Sequence, residues 1–190
     1  MSYESQQSLR LLESGEASTL AEIRAGRPLV LDFWHTRCGN CPEALTKLDA
    51  LAASGKLPGV AFAACALSLG EGSFEQTAEL VDDEWQHLTH LFMSTDEKEV
   101  AKAEFGFSAV PFCVAFAADG AVLYKGSPKA ADWVAIFSSA AADAASPASP
   151  DSVVASLESA ASSPGGKAKP PAAAAPALPP IGSLTLDEDF

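Results

Sequence analysis

Six consecutive residues, Leu29-Val30-Leu31-Asp32-Phe33-Trp34, are apolar at every position but one. A strand sends alternate side chains to opposite faces, so a run that is apolar on both faces must be covered on both. Directly beyond it, Cys38-Gly39-Asn40-Cys41 opens a segment in which Cys41, Ala44, Leu45, Leu48, Leu51 and Ala52 recur at spacings of three and four, up to Gly55. That period is the signature of an amphipathic helix. A doubly covered strand that feeds straight into a helix implies an α/β sheet with helices on its faces.

The flanking sequence continues the alternation. Thr19-Leu-Ala-Glu22 has capping-box spacing, and Gly26 followed by Pro28 closes that helix. Val60 to Leu67 reads as a second buried strand, and Ser73 to Trp85 as a polar helix. His87 to Met93 reads as a short edge strand with His87 and His90 at the surface, and Asp96 to Phe105 as another helix. Phe112 to Ala117 and Ala121 to Tyr124, joined at Asp119-Gly120, form a hairpin, and Ala130 to Ala142 a closing helix. The expected architecture is a central mixed β-sheet flanked by helices.

Composition divides the chain at about residue 144. Eight of the 13 prolines lie beyond it, among Ala, Ser and Gly, and that spacing leaves too little apolar surface to offset chain entropy. Residues 1–144 are therefore the expected folded domain and 145–190 a flexible, disordered tail. Two islands interrupt the tail: Val153, Val154, Leu157 and Ala161 at helical spacing, and Leu184, Leu186 and Phe190 beside an acidic cluster. The second has the character of a docking motif for a partner protein.

Charge excludes some partners. Twelve Lys and Arg against 25 Asp and Glu give a net charge of -13, which repels phosphate backbones and anionic lipid. Neither nucleic acid nor a membrane is an expected partner, and no apolar run approaches the roughly 18 residues of a membrane span. The first residues, Met-Ser-Tyr-Glu-Ser-Gln-Gln, lack a signal-peptide pattern, and four unevenly placed cysteines make no disulfide scaffold. The expected setting is the cytoplasm.

The chemistry lies in the cysteine pair. At a strand-to-helix turn the first sulfur, Cys38, sits by free N–H groups and the positive end of the helix dipole, which favour thiolate over thiol. Cys41 lies one turn away and partly buried, close enough to close a small disulfide ring. The competing readings are two inert thiols and half of a zinc site, the latter needing two more ligands at suitable spacing. Cys65 and Cys113 are isolated, and His35, His87 and His90 form no zinc-knuckle pair. Neither a metal nor a bound cofactor is expected.

The stretch Leu31-Asp-Phe-Trp-His-Thr-Arg-Cys-Gly-Asn-Cys41 resembles the thioredoxin signature. A second motif, Ala101-Lys-Ala-Glu-Phe-Gly-Phe-Ser-Ala-Val110-Pro111, is similar to that family's active-site proline loop. The resemblance covers about residues 15–140. The extra helix and strand between Ser68 and Met93 bring it nearer the tryparedoxin, nucleoredoxin and cytochrome-maturation branch. It implies that Cys38 is the attacking nucleophile, Cys41 the resolving thiol, and Asp32 a buried carboxylate that takes the Cys41 proton. It implies that Pro111 is a cis proline, with the Val110 backbone free to pair with an extended substrate. Trp34, Arg37, Gly39 and Asn40 complete the substrate-binding set, Trp34 by packing beneath the site.

Four positions depart from the family pattern. Arg37 stands where Trp is usual, and its charge favours thiolate on Cys38. Asn40 replaces the common proline between the cysteines, and Thr46 the proline that often kinks the helix. Pro42, which cannot donate, leaves the Cys38 carbonyl without its usual helical bond. His35 ends the strand, and Cys65 and Cys113 read as small core residues. The implied function is a thiol–disulfide oxidoreductase that reduces protein disulfides and is recycled by a thiol or flavoprotein reductant. The alternative is a thioredoxin-like interaction or scaffold module whose tail docks it to a partner assembly.

Overall fold

The computed structural model describes residues 8–144. The tail expected at 145–190, with its helical island and its docking motif, lies outside the described residues. Seven strands form one sheet among them: β1 (Leu9–Leu11), β2 (Ala17–Ser18), β3 (Leu29–Trp34), β4 (Ala61–Leu67), β5 (Thr89–Met93), β6 (Phe112–Phe116) and β7 (Val122–Gly126). Five α-helices accompany them: α1 (Leu20–Arg24), α2 (Cys41–Ala53), α3 (Ser73–Val81), α4 (Thr95–Phe105) and α5 (Trp133–Ala144). The strand order is β2-β1-β5-β4-β3-β6-β7. β3, β4 and β5 run parallel to one another, while β6, β7, β1 and β2 join antiparallel, so the sheet is mixed.

β3 sits at the centre, and its alternation divides the core. Leu29, Leu31 and Phe33 pack on one face with Leu20 of α1 and with Ala101 and Phe105 of α4. Val30 and Trp34 pack on the other with Leu45 and Leu48 of α2 and Phe137 of α5. All six side chains of the strand are buried. Burying one such aliphatic side chain contributes about 1.5–3 kcal/mol, which fixes the strand's register far more firmly than local propensity does. Asp32 is carried into the interior by that register.

Local chemistry sets the element ends. Thr19 caps α1 by accepting from the Glu22 N–H while the Glu22 carboxylate accepts from the Thr19 N–H, the reciprocal box read from the sequence. The left-handed residue that ends α1 is Ala25, at φ 48°, one position before the expected glycine. A second capping box, Ser94 with Glu97, starts α4 at Thr95.

Two features differ from expectation. The strands β1 and β2 hold three and two residues, too short for a period, and they form only because β5 offers an edge. β5 is therefore an interior strand. His90 is half-buried on it, its Nε2 3.1 Å from the Trp85 carbonyl oxygen, while His87 is exposed beside Asp49. The stretch expected to be helical to Trp85 leaves the helix after Val81, and Trp85 takes a positive φ of 51° with its ring buried against Trp34. At the far border, β6 and β7 pair with an irregularity between Ala115 and Phe116.

Candidate active site

Cys41 is the first residue of α2, and Cys38 lies in the turn before it. The two are joined as a disulfide with their Cα atoms 5.4 Å apart. Cys41 is fully buried and Cys38 is half-buried, so one sulfur faces outward and the other inward. Asn40 precedes the helix without a side-chain cap. The positive end of the α2 dipole therefore lies at the turn that carries Cys38. Pro42 does not strand the Cys38 carbonyl, because the Cys41 N–H donates to it at 3.3 Å in a tighter turn. The usual helical bond from position 42 is absent, as expected, and this shorter one replaces it.

The second motif closes over the pair. The Val110–Pro111 peptide bond is cis, and the Val110 carbonyl oxygen lies 3.7 Å from the Cys38 sulfur. Val110 and Pro111 are both half-exposed. Arg37, Gly39 and Asn40 are exposed around Cys38. Trp34 is not: at 1% exposure it offers a substrate no surface and supports the site from beneath, edge-on to Trp85 at 5.7 Å. In turn the Trp85 indole donates to the Thr46 hydroxyl at 3.0 Å, and that hydroxyl donates to the Pro42 carbonyl at 2.9 Å. Thr46 therefore ties the first turn of α2 to the segment after α3.

Asp32 lies on the same face of β3 as Trp34, the face against which Cys41 packs. Burial raises its carboxyl to about 7, only partly countered by a hydrogen bond from Cys113. Taking an isolated carboxylate out of water is expensive, so the group holds its proton to near neutrality. The Cys113 thiol donates to Asp32 Oδ1 at 2.9 Å, from the directly opposed position on β6. Oδ2 has no hydrogen-bond partner among the described residues. Burial first, and then the facing Asp32, pushes the Cys113 thiol up, and burial pushes up Cys65 on the sheet's other face. Burial thus disfavours the thiolate form of both.

Sequence reasoning treated Cys113 as a core residue and missed this contact. Its position two residues after Pro111 put it on the right strand, but only the β3–β6 register shows that it faces Asp32. It missed the Thr46–Trp85 bond for the same reason. Among the described residues no group of three or more His, Cys, Asp or Glu side chains is placed to hold a metal ion.

Neither a protein-family model nor a curated protein matches the sequence. Solved structures do match in shape. The thioredoxin domain of a thiol-disulfide oxidoreductase from Bacteroides vulgatus aligns with 62% of this chain and 81% of its own at a TM-score of 0.52 and 16% identity. MTB dsbF, in its mixed oxidized and reduced forms, aligns over 71% and 95% at 0.54 and 21%. The exposed lipoprotein thioredoxin Etrx1 from Streptococcus pneumoniae aligns over 71% and 97% at 0.54 and 15%. At these identities the likeness is one of backbone. With β3, α2, the Cys-x-x-Cys turn and the cis-proline loop in their observed places, the chain has the thioredoxin-like fold.

Proposed function

We propose that this protein is a thiol–disulfide oxidoreductase that reduces disulfides in polypeptide substrates. The observation that carries the reading is the Cys38–Cys41 disulfide at the start of α2, with the Val110 carbonyl 3.7 Å from its outward sulfur. In the reduced protein the Cys38 thiolate attacks one sulfur of the substrate disulfide, and the other sulfur leaves as a thiolate. Cys41, its proton taken by Asp32, then attacks the Cys38 sulfur. The mixed disulfide breaks, the substrate leaves with two electrons and two thiols, and the Cys38–Cys41 disulfide forms. A thiol or flavoprotein reductant returns the electrons.

Arg37 and the α2 dipole favour the Cys38 thiolate, and the chain segment at Val110 and Pro111 supplies backbone for an extended substrate. Gly39 and Asn40 flank the exposed sulfur without covering it. Residues 145–190 are the tail of this reading and carry any contact with a partner assembly. Cysteine usage, with Cys65 and Cys113 as free buried thiols, supports the cytoplasm as the setting.

Trapping in native lysate tests the reading. Cys41→Ser leaves Cys38 able to attack and unable to release, so reducible adducts are expected on it and not on the Cys38→Ser/Cys41→Ser double variant. Equal recovery of partners on both, lost when residues 181–190 are removed, would replace the enzyme with a binding module.

A further inference from the structure

Beside the cysteine pair lies a cleft of about 180 Å³ bounded by His35, Lys98, Lys102, Phe107, Ser108 and Val110. Sites for whole small ligands run to about 300–1,000 Å³, so this cleft suits one side chain and not a cofactor. It shares Val110 with the disulfide, since the residue that forms its wall places its carbonyl oxygen 3.7 Å from the Cys38 sulfur. It also shares His35, whose carbonyl accepts the Cys38 N–H at 3.0 Å.

The charge of the cleft runs against that of the chain. Two lysines line it and, among the described residues, no carboxylate does, in a protein of net charge -13. Lys98 is fixed by donating to the Ser68 carbonyl at 2.7 Å, which leaves two of its three donors free to serve another group. Lys102 pairs with Glu99 at 2.9 Å, but that carboxylate is 60% exposed, and such pairs contribute little. Arg37 stands close enough to act on His35 together with Lys98. Burial first, and those two cations after it, hold the imidazole below its ordinary range. His35 therefore leans towards its neutral form and lines the cleft without adding to its charge. Its Nδ1 is buried with no partner on another described residue. Two lysines, the His35 ring and the apolar wall of Phe107 give the cleft a chemistry suited to a carboxylate on a short stem.

We propose that this cleft reads an acidic side chain close to the disulfide of the polypeptide that the protein reduces, with Lys98 and Lys102 supplying the charge. The inference rests on the oxidoreductase reading and deepens it. A substrate strand laid along Val110 advances about 3.3 Å per residue, so a side chain one or two positions from the attacked cysteine reaches the neighbouring cleft. The positive cleft on a negative protein both selects that partner and turns it to the right end of the sheet during encounter.

The test uses the full chain and three peptide disulfides that differ only in carrying Glu, Gln or Lys beside the cysteine. The wild type should reduce the Glu peptide roughly tenfold faster in kcat/KM than the Lys peptide at low salt, and the ratio should shrink as salt is added. In Lys98→Gln/Lys102→Gln the ratio should fall close to one, and charge reversal to Glu at both positions should invert it. Equal reduction of all three peptides by the wild type overturns the cleft assignment and leaves the oxidoreductase reading standing. A double variant that slows all three alike also overturns it, because the lysines would then act on Cys38. Failure to reduce any of the peptides overturns both readings.

Discussion

Replacing Asp32 with Asn removes a charge that folding forces into the interior. The folded carboxyl titrates at about 7 and the ordinary one at 3.8, so the folded state holds its proton over a range in which the unfolded state has lost it. Stability is then full below the ordinary value and declines by about 1.4 kcal/mol per pH unit as pH rises towards 7, levelling off above. Between pH 5 and pH 8 the wild type should lose roughly 2–3 kcal/mol from this group alone. Asn carries no charge, and its Oδ1 still accepts from the Cys113 thiol, so that loss should vanish. Part of the gain is offset at every pH by the buried amide N–H groups, at about 1–3 kcal/mol. The difference in slope is therefore the quantity to measure. Half-buried His35 and His90, both pushed down by burial, add a slope of opposite sign, but they do so in both proteins and cancel in the comparison. Urea unfolding of the two oxidised proteins at pH 5 and pH 8, followed by tryptophan fluorescence, gives the result. Parallel losses in wild type and variant would refute the claim that Asp32 is forced to titrate near neutrality.

Other outcomes follow from the same geometry. Cys113→Val removes the donor that holds Asp32 down, so the pH midpoint for reduction of a peptide disulfide should move upward, and Cys113→Ser should restore it. Leu45→Ala, at a fully buried position of α2, should cost about 2–5 kcal/mol in denaturant unfolding. Trp85→Phe should cost about 1 kcal/mol through the lost bond to Thr46, and Thr46→Val should add little on top of it in a double-mutant cycle.

How far the sequence reaches is clear from particular residues. β3 and α2 were legible because burial on both faces of the one and a 3/4 period in the other leave a strong pattern, and the turn between them carries the cysteines. Pro111 was legible through resemblance, and its bond is cis. β1 and β2 were not, since three and two residues hold no period and their pairing depends on a strand some 80 residues away. Asp32 could be placed in a buried strand, but its partner could not, because side-chain pairs across a sheet follow register. Trp85 eluded the helical pattern for another reason: a positive φ at a bulky residue is imposed by packing against Trp34 and the bond to Thr46, not by local preference.

The borders of the sheet bear on what the protein does when crowded. Strand edges recruit other strands when they are long, flat and unpaired. Among the described residues one border ends in a two-residue strand, and the other in β7, where the irregular pairing at Ala115 and Phe116 and the exposed Lys125 interrupt any flat template. The interior strands, which are apolar enough to aggregate, stay shielded behind these two borders. Copies of this domain should therefore remain separate at concentrations where a bare β5 edge would seed association.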